Sequence, residues 1–281
     1  MTEKPDLDHL RQWIGRCSEA SDTVTAQLVK GLRATLFLPV GEPKTGDAAP
    51  YTVHWCLAPA VAPASELGPD GHPSRGGFLP PVPLPRRMWA GGELEFFDTF
   101  RVGDEVTRTS RIKDVTMKTG STGVLCFVSV DHEHTTPRGI AIRERHDIVY
   151  RDVTPASAAP AKAASPPPVA KHRETHFADP VLLFRYSALT FNGHRIHYDC
   201  DYVTKVEGYP GLIFHGPMQA ALQIEFAAKL RGHVPKKFTY RGVQPLFEGE
   251  FSVNANETDG SMETWTANAQ GQPTMKGTAT W

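Results

Sequence analysis

The sequence predicts an α+β protein built from two copies of one antiparallel unit, and three observations carry that reading. The run TPASAAPAKAASPPPVAK at residues 154–171 is an Ala/Pro/Ser linker that cannot pack a core. On either side of it, GELEFFDTFRVGDEVTRTSRI and KFTYRGVQPLFEGEFSVNANE follow the same order: a strand, a turn closing on Gly-Asp or Glu-Gly-Glu, and a polar-faced strand. β-Branched or alternating segments dominate both flanks, while helical spacing is confined to a few stretches. The expected organisation is an N-terminal unit over 1–153, the linker over 154–171 and a C-terminal unit over 172–281.

The elements follow in order. Over residues 6–17, Leu10, Trp13, Ile14 and Cys17 recur at helical spacing behind Asp6, a suitable N-cap. A second helix is expected where Val24, Leu28 and Leu32 stand four apart. From Tyr51 to Pro85 the chain holds at most one short helix, then GPDGHPSRGGFLPPVPLP, too rich in Gly and Pro for anything but loop. A loop this long inside a compact unit is usually functional or disordered. Its end, PLPRRMWAGG, sets Arg86 and Arg87 beside an exposed turn. ELEFF, EVTRTSRIKDV, TGVLCFVSVDHEHT and IAIRERHDIVY read as strands. After the linker, Pro217 fits a helix N1 position, and Met218, Leu222, Phe226 and Leu230 form an apolar stripe that stops near Gly232. That stripe is core and not a cofactor site. KFTYRGVQPLF, GEFSVNANET, METWTANAQ and TMKGTATW complete the strands.

Composition narrows the function. A formal net charge of −1 supplies no field for nucleic acid or an anionic membrane. No apolar run reaches the roughly 20 residues of a membrane span, and MTEKPDLDHLRQW lacks the basic-then-apolar order of a secretory signal. Cys17, Cys56, Cys126 and Cys200 are scattered, with no CxxC pair and no local nucleophile motif, so free thiols in a cytoplasm are expected.

The chemistry concentrates in FRYSALTFNGHRIHYDCDYVTKVEGYPGLIFHGP, residues 184–217. Asn192, His194, His197 and Asp199 fall within eight residues, and His215 stands at the mouth of the predicted helix. Imidazole exchanges protons near neutral pH, so the segment reads as an acid–base site. The helix starting near Gly216 offers unpaired backbone N–H groups and a positive dipole end to a developing oxyanion. Glycine there admits close approach. Arg195 adjoins the site, and Arg86 and Arg87 sit on a loop able to cover it; each suits a carboxylate or a phosphate.

This segment resembles the MaoC-like hydratase and dehydratase family. The family signature runs serine, glycine, aspartate, any residue, asparagine, proline, an aliphatic residue and histidine, with a His-Gly-Met helix start further on. The matching run here is Thr190, Phe191, Asn192, Gly193, His194, Arg195, Ile196 and His197, followed by His215, Gly216, Pro217 and Met218. FNGHRIHYD and FLPPVPLPRRMWAGG look like the subgroup of mesaconyl-C4-CoA and itaconyl-CoA (3-methylfumaryl-CoA) hydratases. The resemblance covers most of residues 175–281 and implies a double hot-dog fold, each repeat an antiparallel sheet wrapped around a central helix. The N-terminal half looks like the degenerate repeat. It further implies addition of water to, or its removal from, an enoyl-CoA thioester. The substrate would be a branched C5 dicarboxylic acyl-CoA, with CoA as part of the substrate and no other cofactor.

The family aspartate falls on Asn192, and the family asparagine on His194. Asn192 can orient a water but cannot take its proton. His197 then carries most of the acid–base work, unless His194 or Asp199 replaces the carboxylate. Catalytic roles thus fall to His197, Asn192 and Gly216. Substrate binding falls to Arg195, His194, His215, Arg86 and Arg87. Other readings stay open: a (3R)-hydroxyacyl-ACP dehydratase, a general enoyl-CoA hydratase or a non-catalytic acyl-CoA binding protein. A hot-dog thioesterase fits less well, since Glu225 lies far along the helix. Asn192 could equally be a turn former beside Gly193, and Asp199 a turn cap. His132 and His134 share a strand face with no evident third ligand, and the DGH at Asp70–His72 lies in loop, so no metal is expected. Hot-dog sheets commonly pair further, so a homodimer is the expected assembly.

Overall fold

A computed structural model describes residues 5–120, 123–152 and 166–281. Residues 154–165, most of the expected linker, lie outside them. The described strands are β1 (Cys17–Thr23), β2 (Arg86–Phe96), β3 (Glu105–Gly120), β4 (Gly123–Thr136), β5 (Gly139–Arg151), β6 (His172–Ala178), β7 (Lys237–Gly242), β8 (Gly249–Thr258), β9 (Ser261–Asn268) and β10 (Pro273–Thr280). The helices are α1 (Leu7–Arg11), α2 (Ala26–Thr35), α3 (Pro180–Leu189) and α4 (Gly216–Arg231).

The strands form one antiparallel sheet in the order β1-β3-β4-β5-β2-β7-β10-β9-β8-β6. Read inward from its two ends, this order pairs each strand of the first half with the strand five places later: β1 with β6, β3 with β8, β4 with β9, β5 with β10 and β2 with β7. The double hot-dog is thus a duplicated unit joined at its centre, where β2 and β7 pair Leu94 with Phe238 and Gly92 with Tyr240.

Among the described residues, the long helix is present in the second half only. Pro217 lies in the first turn of α4, and Gly232, at φ 89°, caps its end. Met218, Leu222 and Phe226 are buried against the sheet. Two buried glutamines tie helix to sheet: Gln219 Oε1 accepts from the Thr266 and Thr274 hydroxyls, and Gln223 Oε1 from that of Thr264. Bonding these carbonyls removes much of the cost of burying them. In the first half, short 3-10 turns at Val53–Cys56 and Ala64–Glu66 and the Gly/Pro-rich loop stand where α4 would be.

Several elements differ from the sequence expectation. The first helix ends at Arg11, and Cys17 opens β1, because Gly15 turns the chain at φ 86° and donates its N–H to Ile112. Asp6 caps α1 as expected. Val24 precedes α2, whose N-cap is Thr25. Arg86 and Arg87 begin strand β2 rather than end a loop. Strand β6 and helix α3 were not expected. Among the described residues, no helix is long and apolar enough to cross a membrane.

Candidate active site

Three stretches of the second half converge on the site. Asp179 caps α3 through Leu182 N, and Pro180 occupies its first turn. Beyond its end, Phe191 takes φ 50°, and Asn192 donates its backbone N–H to Ser187 O at 2.8 Å. Asn192 Oδ1 accepts from His194 N at 3.0 Å, so its carbonyl is spent on a local turn. A single 3-10 turn, Arg195–His197, follows. His215 then stands immediately before α4, bonded through Nε2 to Ser187 Oγ at 2.9 Å.

Four imidazoles form a row. His197 stacks on His215 with 3.7 Å between ring centroids. His194 meets His197 edge-on at 5.5 Å, and His72 lies 4.2 Å from His194. His197 Nδ1 is 2.7 Å from Ile213 O. A carbonyl can only accept, so Nδ1 bears the hydrogen and Nε2 the lone pair. Burial pushes the His197 pKa down to about 4 and that of His194 to about 2, and holds His215 well below its usual range. The row is therefore poised as neutral bases at pH 7.

His72 was the member missed by sequence reasoning. It comes from the first half, on a turn in which Gly68 N bonds His72 O and Gly71 N bonds Gly68 O. Asp70 accepts from the His72 backbone N–H through Oδ1 and from Nδ1 through Oδ2, both at 3.0 Å. Burial raises the Asp70 pKa, but the bonds from His72 outweigh it and hold the carboxyl below its usual range. The loop is stapled to the site turn: Arg195 N donates to Asp70 O at 2.9 Å and Arg195 Nη1 to Pro69 O at 3.0 Å. Gly71, at φ 87°, lies so close to Gly193 that a Cβ would strike the Gly193 carbonyl.

The arginines divide. Arg195 holds Asp199 through Nε and Nη2, at 3.0 and 2.8 Å, and lies over the Tyr202 ring. Arg86 donates to Glu207 O at 2.6 Å and lies over Tyr209. Both are thus engaged by partners within the protein. Arg87 lies near enough to the row for its charge to work against protonation of His72 and His194. Gly216 opens α4 beneath Trp89, where a Cβ would lie 3.1 Å from ring atom Cε3. The close approach it permits in this structure is that of the indole.

The HEH motif also has partners that spacing could not reveal. Glu144, fully buried on β5, accepts from His134 Nε2 at 3.0 Å and from Trp55 Nε1 at 2.9 Å. His54 Nε2 lies 3.4 Å away and His146 Nε2 3.1 Å away. His132 bonds Ser110. Here the imidazoles surround one carboxylate at hydrogen-bonding distances, forming a buried polar network of the first half. Cys56 and Cys126 are buried, their thiols pushed up to about 12 and about 11 by desolvation, which makes them inert.

Solved structures share this architecture. A MaoC-like dehydratase from Phytophthora capsici superposes with a TM-score of 0.73 at 12% identity, over 99% of this chain and 98% of that one. A conserved hypothetical protein of Mycobacterium tuberculosis with a double hotdog fold gives 0.53 at 12% identity, over 95% and 96%. The fold is thus the double hot-dog. By sequence, the mesaconyl-C(4)-CoA hydratase of Chloroflexus aurantiacus is 41% identical over 236 residues, 84% of each chain. Residues 51–248 match the model of hydroxyacyl-thioester dehydratase type 2, Htd2, and the chain belongs to that family.

Proposed function

We propose that this hydro-lyase adds water to an enoyl-CoA thioester, or removes it in reverse, and that the acyl group is a branched C5 dicarboxylate such as mesaconyl-C4-CoA or itaconyl-CoA. One observation carries the chemistry. Burial keeps His197 neutral, and the Ile213 carbonyl holds its hydrogen on Nδ1 and its lone pair on Nε2, beside the first turn of α4. Nε2 accepts a hydrogen bond from the attacking water, and the Asn192 amide helps orient that water. As oxygen bonds to the β-carbon, the alkene electrons move onto the thioester oxygen. The unpaired N–H groups opening α4, that of Gly216 first, stabilise the resulting charge. One such donor is worth about 3 kcal/mol in comparable oxyanion holes. The water gives up one proton as its oxygen bonds, and the enolate takes that proton back at the α-carbon.

Arg87 is the cation for the far carboxylate, since Arg86 and Arg195 are committed to Glu207 and Asp199. The sequence relationship to a mesaconyl-C(4)-CoA hydratase supports the same substrate class. The reading calls for no cofactor or metal, a cytoplasmic setting and a homodimer. Val181 and Phe184, exposed on α3 between exposed Phe177 and Phe191, offer an apolar face to a second copy. Light scattering on the eluted protein tests the dimer.

The activity test follows loss of enoyl-thioester absorbance with mesaconyl-C4-CoA, itaconyl-CoA and crotonyl-CoA. Turnover of the dicarboxylic substrates that disappears in His197→Ala is the expected result. Arg87→Met should raise KM for them without affecting crotonyl-CoA. Equal rates on crotonyl-CoA would make this a general enoyl-CoA hydratase, and no turnover would leave a binding protein.

A further inference from the structure

We infer that His72, held by Asp70, is the base that takes the proton from the attacking water, filling from the first half of the chain the place that a carboxylate holds in the family signature. The inference rests on the hydratase reading above.

The signature position cannot supply a base. Asn192 is an amide, and its Oδ1 is bonded to His194 N. Asp199, the nearest carboxylate in sequence, is fully engaged: Oδ2 accepts Arg195 twice and Oδ1 accepts Tyr202 N. Asp70 reaches the row from more than a hundred residues away. A carboxylate only accepts, so the hydrogen between Asp70 and His72 resides on Nδ1, and the lone pair of His72 is on Nε2.

Two imidazoles thus present Nε2 lone pairs, and the environment decides which one can keep a proton. Protonated His197 would be a buried cation whose partner is a neutral carbonyl. Protonated His72 would lie against an ionised carboxylate at 3.0 Å, with its side chain still 19% exposed. The charged and titratable groups facing His72 are Asp70 and Arg75 on its own loop, Arg87 on β2, and His194 and His197 on the site turn. The two arginines oppose protonation in the free protein. A substrate carboxylate on Arg87 would offset that opposition, so binding of the dicarboxylic substrate would itself raise the basicity of His72.

The step balances with one proton. A water O–H bond breaks and its proton passes to His72 Nε2. The oxygen forms its bond to the β-carbon, and the π pair moves through the α-carbon to the thioester oxygen. The imidazolium returns the same proton to the α-carbon, the thioester carbonyl re-forms, and His72 is neutral again. His197 Nε2 holds the second hydrogen of the water throughout. Asp70 is a positioning residue acting through His72.

The test compares wild type, His72→Gln, Asp70→Asn, Asp70→Glu and His197→Gln on mesaconyl-C4-CoA from pH 5 to 9. Asp70→Asn keeps an oxygen for the His72 backbone N–H, but its amide donates to Nδ1 and forces the hydrogen onto Nε2. His72→Gln and Asp70→Asn should each lower kcat by about 10²- to 10⁴-fold with little change in KM. Asp70→Glu should recover part of the rate and move the acid limb of kcat/KM. If His72→Gln and Asp70→Asn hold kcat near wild type while His197→Gln is inactive, the inference is overturned and the hydratase reading stands. Loss of wild-type turnover on chelation, restored by Zn²⁺, would also overturn it. Wild type inactive on every enoyl-CoA would remove the reading beneath it. Should the first two variants not fold, an Asp70→Glu acid limb identical to wild type is the overturning result.

Discussion

His197 and His215 lie face to face, their ring planes 18° apart and their centroids separated by 3.7 Å. Two cations cannot share that geometry, so the pair must stay largely neutral. His197 and His54 both have folded-state pKa values lowered by burial to about 4, against an ordinary value of 6.5. Between those values the unfolded chain binds more protons than the folded one. Stability therefore falls as pH drops from 6.5 towards 4, by up to about 1.4 kcal/mol per pH unit for each proton. Urea unfolding at pH 7 and pH 5 checks the sign; a midpoint unchanged or higher at pH 5 contradicts it.

Glu225 works in the opposite direction. Burial raises its pKa to about 7 from 4.5, and Tyr51 N donates to Oε1 at 2.8 Å. The folded state holds the extra proton between pH 4.5 and 7, so this contribution is lost as pH rises through that window. Glu225→Gln keeps the acceptor and removes the ionisation. Its melting temperature should exceed wild type at pH 8 by more than at pH 5.

Gly71→Ala should release the loop from the site. The substitution meets both a positive φ and the Gly193 carbonyl, and a left-handed conformation alone costs an L residue about 1–2 kcal/mol. We expect turnover to fall by at least about tenfold, since 1.4 kcal/mol is a decade in rate, with the global melt little changed. Protease cleavage within residues 68–77 should quicken, and an unaltered cleavage rate would show that the loop tolerates the methyl.

Gly216→Ala tests the contact with Trp89. Inserting a methyl against a packed ring costs about 1–3 kcal/mol where neighbours cannot shift. Trp89→Leu should absorb part of that cost, giving a coupling of more than about 0.5 kcal/mol in a double-mutant cycle. Additive effects would mean that the indole moves freely.

Much of this molecule was legible in its sequence, and the gaps have physical causes. Helix α4 announced itself through Pro217, a stripe at i+4 and Gly232, because start, face and stop agreed. Helix α3 did not: PVLLFRYSAL is apolar on the exposed side as well, at Val181 and Phe184, so no period stands out. His194, His197 and His215 lie close in sequence and meet in space. Asp70 and His72 gain their meaning only from Gly193 and Arg195, and a loop-borne DGH carries no periodicity that would betray this. The ion pair of Arg195 with Asp199 follows their i,i+4 spacing and could have been read from it.

The clasp between Gly71 and Gly193 sets a timetable for the living protein. During synthesis the loop is made more than a hundred residues before Arg195, and until then it has nothing to close upon. Catalytic competence is therefore among the last properties the nascent chain acquires. A chain truncated before residue 193 would lack the clasp altogether.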